Sequence, residues 1–252
     1  VGGNALVEMT PIGSVRSIES LREISAKSGV SIIATTGFHK SEFYDKSHFL
    51  WKYDTEQLVE LLVADVCDGI DIYDYAGPIV KRSEGRAGVI KAACSLQSIT
   101  TVEKKELRAA AIASNKTGAP VSLHLEKGTM ALEAIDILLE NGAKPDNIIL
   151  GHIDRNPDYY YHEQIAKRGV FLIYDGAARV KYYTDEVIAH LIEHMVEAGF
   201  EDQLLMGADL GGKSYFRSYE GGPGLGYNLG IFTPRLLSSG ISQQTVDKML
   251  IH

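Results

Sequence analysis

The chain has 252 residues, 45% hydrophobic and 23% charged, with a formal net charge of -8. That length suits one α/β barrel or two small domains with a sizeable core, and an acidic balance without a Lys/Arg cluster argues against a nucleic-acid partner. Two cysteines, Cys67 and Cys94, make no disulfide framework, and no apolar run nears the roughly 18 residues of a membrane span, so a cytoplasmic protein acting on a small molecule is expected.

Strand and helix signals alternate along the sequence. A strand near 4–10 precedes an amphipathic segment near 17–28 with Ile18, Leu21, Ile24 and Ser25 on one face. Val30–Thr35 reads as the second strand, followed by a loop of about twenty residues and a helix over 55–67. Ala87–Cys94 is the third strand. Thr100 and Glu103 have capping-box spacing and open an alanine-rich helix that Gly118 closes. Pro120–Leu125, Asn147–His152, Val170–Asp175 and Gln203–Ala208 give four more strands, with helices near 128–141, 158–168, 184–198 and 241–251.

Seven strands in βα alternation predict a parallel sheet with right-handed crossovers and outer helices. The expected fold class is α/β, a (β/α)8 TIM barrel lacking its first βα unit, as one domain over 1–252. A doubly wound open sheet is the alternative, but Met9-Thr-Pro-Ile-Gly-Ser14 is not the glycine-rich phosphate turn that such a fold places after its first strand. Val1 without a methionine and Ile251-His252 inside a helix read as the ends of an excerpt.

Four ionisable residues close apolar runs: Lys91 in Gly-Val-Ile-Lys, His124 in Val-Ser-Leu-His, His152 in Ile-Ile-Leu-Gly-His, and Asp209 in Leu-Leu-Met-Gly-Ala-Asp. In a βα barrel, catalytic groups come from the C-terminal ends of strands. Two imidazoles and a carboxylate at equivalent positions suit Zn²⁺ or a similar divalent ion with an open position for water. Lys91 is the odd member. Burial would depress its pKa, and the neutral amine can take up carbon dioxide to give a carbamate that bridges cations; a lysine salt-bridged to an acidic neighbour is the alternative.

Other histidines read as structural or as surface. His190 and His194 share a solvated helix face with Glu186, Glu193 and Glu197. His39 follows the second strand and takes a loop role, and His162 sits in a tyrosine-rich helix start. Lys181, Lys213, Tyr215 and Arg217 fall on the loops after the last two strands, where such barrels commonly bind phosphate.

Taken in order, Gly-Val-Ile-Lys91, Ser-Leu-His124, Gly-His152-Ile-Asp-Arg-Asn and Gly-Ala-Asp209 resemble the phosphotriesterase family of the amidohydrolase superfamily, in its phosphotriesterase-homology, lactonase-like branch. The resemblance implies two divalent metal ions, with zinc expected, a carboxylated Lys91 bridging them, His124 and His152 on the second metal and Asp209 on the first. It implies a metal-dependent hydrolase in which a bridging hydroxide attacks a lactone or ester and Asp209 takes the proton. A phosphorylated sugar lactone is the expected substrate, with Lys181, Lys213 and Tyr215 on the phosphate. Gly212 stands where an arginine is often found. The family's first-strand His-x-His pair is missing from these residues, which leaves two expectations: a preceding segment supplies it, or the chain is inactive. An organophosphate triesterase and a metal-free binding or structural barrel are the alternatives, and a homodimer is one expected assembly.

Overall fold

A computed structural model describes residues 3–251. Val1, Gly2 and His252, where the cut ends were expected, lie outside the described residues. The strands are β1 (Ala5–Glu8), β2 (Ser31–Gly37), β3 (Ala87–Cys94), β4 (Val121–Leu125), β5 (Ile148–Gly151), β6 (Phe171–Tyr174) and β7 (Leu204–Met206). The helices are α1 (Ile18–Ser28), α2 (Thr55–Cys67), α3 (Thr101–Thr117), α4 (Ala131–Glu140), α5 (Tyr159–Ala166), α6 (Asp185–Glu197), α7 (Thr233–Ser238) and α8 (Gln243–Ile251). This succession of parallel βα units is that of the (β/α)8 barrel class.

The chain divides into two compact units. One holds Asn4–Glu126 and Met130–Ile149, and the other holds Lys127–Thr129 and the chain from Leu150. In the first unit β1 pairs with β2, β2 with β3 and β3 with β4, all parallel. Gly37 stands opposite Lys91, and Ala93 opposite His124. In the second unit β6 and β7 pair in parallel, Tyr174 opposite Met206.

Local chemistry explains the element ends. Thr100 and Glu103 form the reciprocal capping box expected of α3, Asp54 and Gln57 form one at α2, and left-handed Gly118 stops α3. The core of the first unit comes from the apolar faces of its helices on strands that are nearly continuous in hydrophobicity: Ile90, Ala92, Val121, Leu123, Leu107 and Ile135 are all buried. A buried cluster fastens the connection after α2. Asp65 accepts from Arg16 at 3.0 Å, from Arg82 at 2.7 Å and from the Tyr75 hydroxyl at 2.5 Å.

Two details depart from the sequence reading. On α1, Ile18 is buried but Ile24 is 53% exposed, so the inward face is narrower than the pattern suggested. A π-turn over Asn228–Phe232 running into α7 follows the glycine-rich loop, where Gly226, Pro234 and the lack of a clean period hid a helix.

Candidate active site

In the first unit, Lys91 and His124 lie on adjacent strands. Gly37 lets the backbone of β2 pass so close to Lys91 that a Cβ there would sit 2.0 Å from the Lys91 carbonyl oxygen. Its φ of +98° is also one that only glycine adopts cheaply. The Lys91 ammonium donates to the Met9 carbonyl at 2.8 Å. His124, at the end of β4, bonds through Nε2 to Glu126 Oε2 at 3.2 Å, and the same oxygen accepts from Lys40 Nζ at 2.6 Å. The His39 ring lies 4.4 Å from that of His124 and stacks on Phe43 at 4.4 Å. Sequence reasoning left His39 as a loop residue and passed over Lys40 and Glu126.

In the second unit, the backbone turns sharply at both candidate ligands. His152 has φ 65° and Asp209 φ 42°, the left-handed region that costs a side-chain-bearing residue about 1–3 kcal/mol and clusters at functional sites. Asp175 holds His152 twice, accepting from its backbone N–H at 3.1 Å and lying 2.9 Å from Nδ1. A carboxylate on one imidazole nitrogen fixes the tautomer, the usual setting of a metal-ligating histidine.

Asp209 is gripped by two buried arginines. Arg155 donates to its carboxylate at 2.5 Å, and Arg179 donates both to the carboxylate and to the backbone carbonyl. Arg155 stacks over Tyr182 at 4.3 Å, and Arg179 lies 5.1 Å from the Tyr215 ring. Lys181 is exposed with its ammonium 4.8 Å from Tyr182, while Lys213 is turned to Tyr219 at 5.4 Å. Tyr215 and Lys181 thus share an aromatic and cationic neighbourhood with the two arginines, whereas Lys213 packs on a different ring.

Beneath this layer is an acid pair. Asp154 accepts from Gly176 N–H at 2.6 Å, an approach so close that a Cβ on Gly176 would meet the carboxylate at 2.7 Å. Burial, then the charge of Asp175, pushes the Asp154 carboxyl well up, and burial also raises Asp175 against the opposing pull of Arg155. His162 is structural as expected: it is buried, with Nδ1 2.9 Å from the Tyr174 hydroxyl. His194 on α6 pairs with Glu163 at 2.9 Å.

Signals for the missed residues differ. Asp175 closes an apolar run just as His124 and His152 do, so the strand-end rule extends to it. Arg155 lies inside the Gly-His-Ile-Asp-Arg-Asn motif. Nothing in the sequence marks Arg179.

The model of the phosphotriesterase family matches residues 1–252. A phospho-furanose lactonase of Mycoplasmopsis synoviae is 39% identical over 261 aligned residues, covering 100% of this chain and 74% of that protein. Among solved structures, an amidohydrolase from Mycoplasma synoviae superposes with a TM-score of 0.95 at 38% identity over 99% of this chain and 74% of its own. A lactonase from Listeria monocytogenes gives 0.90 at 33% identity over 98% and 79%. Fold and relatives together define a hydrolytic enzyme on a βα-barrel framework. The chain belongs to the phosphotriesterase family.

Members of that family are binuclear metal hydrolases. The donors here suit such a centre in kind: each candidate histidine has one ring nitrogen engaged by a carboxylate, as metal-ligating histidines commonly do. Among the described residues, however, no group of three or more His, Cys, Asp or Glu side chains is arranged to hold a metal ion. Nor does any described helix have the length and apolarity to cross a membrane.

Proposed function

We propose that the protein is a metal-dependent lactonase acting on a phosphorylated sugar lactone, as one metallo-hydrolase domain over 1–252. The similarity to a phospho-furanose lactonase along the whole chain carries this reading. Lys91 as a carbamate, His124, His152 and Asp209 would hold two divalent ions, with zinc the first choice for imidazole and carboxylate donors. Such ions, when bound, lower the pKa of water and polarise the carbonyl under attack.

The chain's own residues supply the rest. Asp175 fixes the orientation of His152. Arg155 and Arg179 fix the Asp209 carboxylate, which takes the proton released as water adds to the lactone carbonyl. Lys181, Lys213 and Tyr215 bind the anionic end of the substrate. Lys181 and Tyr215 are supported by their shared neighbourhood with the two arginines. Lys213 would have to leave Tyr219 to join them.

Hydrolysis of a phosphorylated furanose lactone and of its unphosphorylated counterpart, by wild type and Lys181→Ala, tests the assignment. A charge-assisted hydrogen bond lost at the phosphate lowers kcat/KM by about tenfold to a hundredfold on the first substrate only. Equal losses on both would remove Lys181 from phosphate recognition, and no turnover of either lactone by the wild type would refute the substrate class.

A further inference from the structure

The loops after β6 and β7 are joined by one carboxylate. Asp185 opens α6, where an acidic side chain would ordinarily face the amides of its own first turn. Both of its oxygens turn elsewhere: Oδ1 accepts from the Ala178 N–H at 2.8 Å and Oδ2 from the Tyr227 hydroxyl at 2.7 Å. Ala178 has φ 65°, a conformation that an alanine keeps where its surroundings impose it. The same turn is closed by the Arg179 N–H on the Gly176 carbonyl at 2.8 Å and by the Tyr182 N–H on the Arg179 carbonyl at 3.0 Å. Lys181 rides on this turn. It is exposed, so the backbone beneath it sets where its ammonium can reach.

On the other side, Tyr227 ends a chain of hydrogen bonds that begins at Tyr215. The Gly224 N–H donates to the Tyr215 carbonyl at 2.8 Å, and the Tyr227 N–H donates to the Gly224 carbonyl at 3.2 Å. Asn228, next in sequence and buried, donates from its side-chain amide to the Gly207 carbonyl just beyond β7. These two residues lead into the π-turn over Asn228–Phe232, which the Thr233 N–H closes on the Asn228 carbonyl. Turns of this kind are rare and concentrate at functional sites. Burial, then the hydrogen bond to Asp185, pushes the Tyr227 phenol up to about 12, so it stays a donor at neutral pH.

We infer that Asp185 is a positioning residue that ties the loop carrying Lys181 to the loop carrying Tyr215, and that this tie sets the spacing of the two groups for a lactone with an anionic end. This rests on the role proposed above for Lys181 and Tyr215. Arg179 and Asp209 keep their own ion pair without the tie, so its loss should affect binding of the anionic end more than the chemical step.

Amide hydrogen exchange over residues 176–184 tests the tie without any substrate. Kinetics on a phosphorylated furanose lactone and on its unphosphorylated counterpart test the consequence. In Asp185→Asn the side chain can still accept from the Ala178 N–H and donate to the Tyr227 oxygen, so it should behave as wild type. Asp185→Ala loses both hydrogen bonds. Its exchange over 176–184 and its KM for the phosphorylated lactone should each rise about fivefold to tenfold, with kcat nearly unchanged. KM for the unphosphorylated lactone should stay at the wild-type value. Should Asp185→Ala fail to fold, Tyr227→Phe carries the test, because it removes one hydroxyl and should raise the same two quantities about twofold to threefold. Exchange over 176–184 that does not move in these variants overturns the inference. So does a KM that rises alike on both lactones, or a loss that asparagine fails to restore. Raised exchange with no turnover of either lactone by the wild type would instead remove the substrate reading and leave the tie between the loops established.

Discussion

The surroundings of His124 and those of His152 apply the same device under different degrees of burial. Each imidazole is held by a carboxylate, Glu126 in one case and Asp175 in the other. Burial opposes ionisation at both. At half-buried Glu126 the hydrogen bonds from Lys40 and His124 outweigh it and hold the carboxyl well below its ordinary value. At buried Asp175 the burial wins over Arg155 and the His152 amide, and the carboxyl rises. The same partner chemistry thus gives opposite net shifts, because desolvation grows steeply once water is excluded. A deeply buried carboxylate beside a histidine therefore needs guanidiniums and backbone amides around it, while one near the surface needs a single lysine.

Removing the two carboxylates gives the strongest test of that contrast. Asp175→Ala should cost about 3–5 kcal/mol in urea unfolding, because it strips a buried partner from His152 and leaves Arg155 with less compensation. Glu126→Ala, nearer the surface, should cost no more than about 1 kcal/mol. Equal losses would mean that burial does not separate the two sites.

A second expectation concerns Asp209. Arg155→Met leaves the carboxylate with Arg179 alone, so it should lower kcat by about tenfold to a hundredfold while KM changes little, because orientation of the proton acceptor is lost and not substrate contact. A rise in KM with kcat preserved would make Arg155 a substrate-binding group.

The smallest expected effect lies away from both sites, at Glu106 on α3, which serves as a control for burial without compensation. Its two oxygens are buried with no hydrogen-bond partner among the described residues, and burial, then Glu103, raises the carboxyl well above 4.5. The folded chain then holds this proton more tightly than the unfolded chain, so the contribution to stability is full below about pH 4.5 and is lost as the pH rises toward the folded value. Glu106→Gln should accordingly raise the melting temperature at pH 8 by a few degrees, since about 1 kcal/mol corresponds to about 2–4 °C in a chain of this size. The gain should shrink at pH 5. A gain independent of pH would mean that Glu106 is not the titrating group.

Much of this architecture was legible in the sequence. β3 and α2 match their expected bounds, because apolar runs with clear caps leave little choice of register. His124 and His152 fall at the ends of their runs as expected, whereas β3 continues three residues beyond Lys91 to Cys94 and Asp209 falls three residues after β7. The partners of these residues were harder to see. Glu126 and Lys40 are 86 positions apart and Arg179 and Asp209 are 30 apart, distances that periodicity cannot bridge. The left-handed turns at His152 and Asp209 were equally hidden, since neither residue type demands a positive φ. Chain order points to the residues that could act, and long-range pairing decides how each is held.

Metal ligation proposed for Lys91, His124, His152 and Asp209 underlies the functional reading. Its most direct test is the metal content of the full-length protein, purified in zinc and bicarbonate and compared with Lys91→Met and His152→Ala. Wild type should carry about two ions per chain, with a carbamate carbon resonance that disappears in Lys91→Met and fewer ions in both variants. Wild-type protein that binds no zinc above background and still hydrolyses the lactone would contradict it.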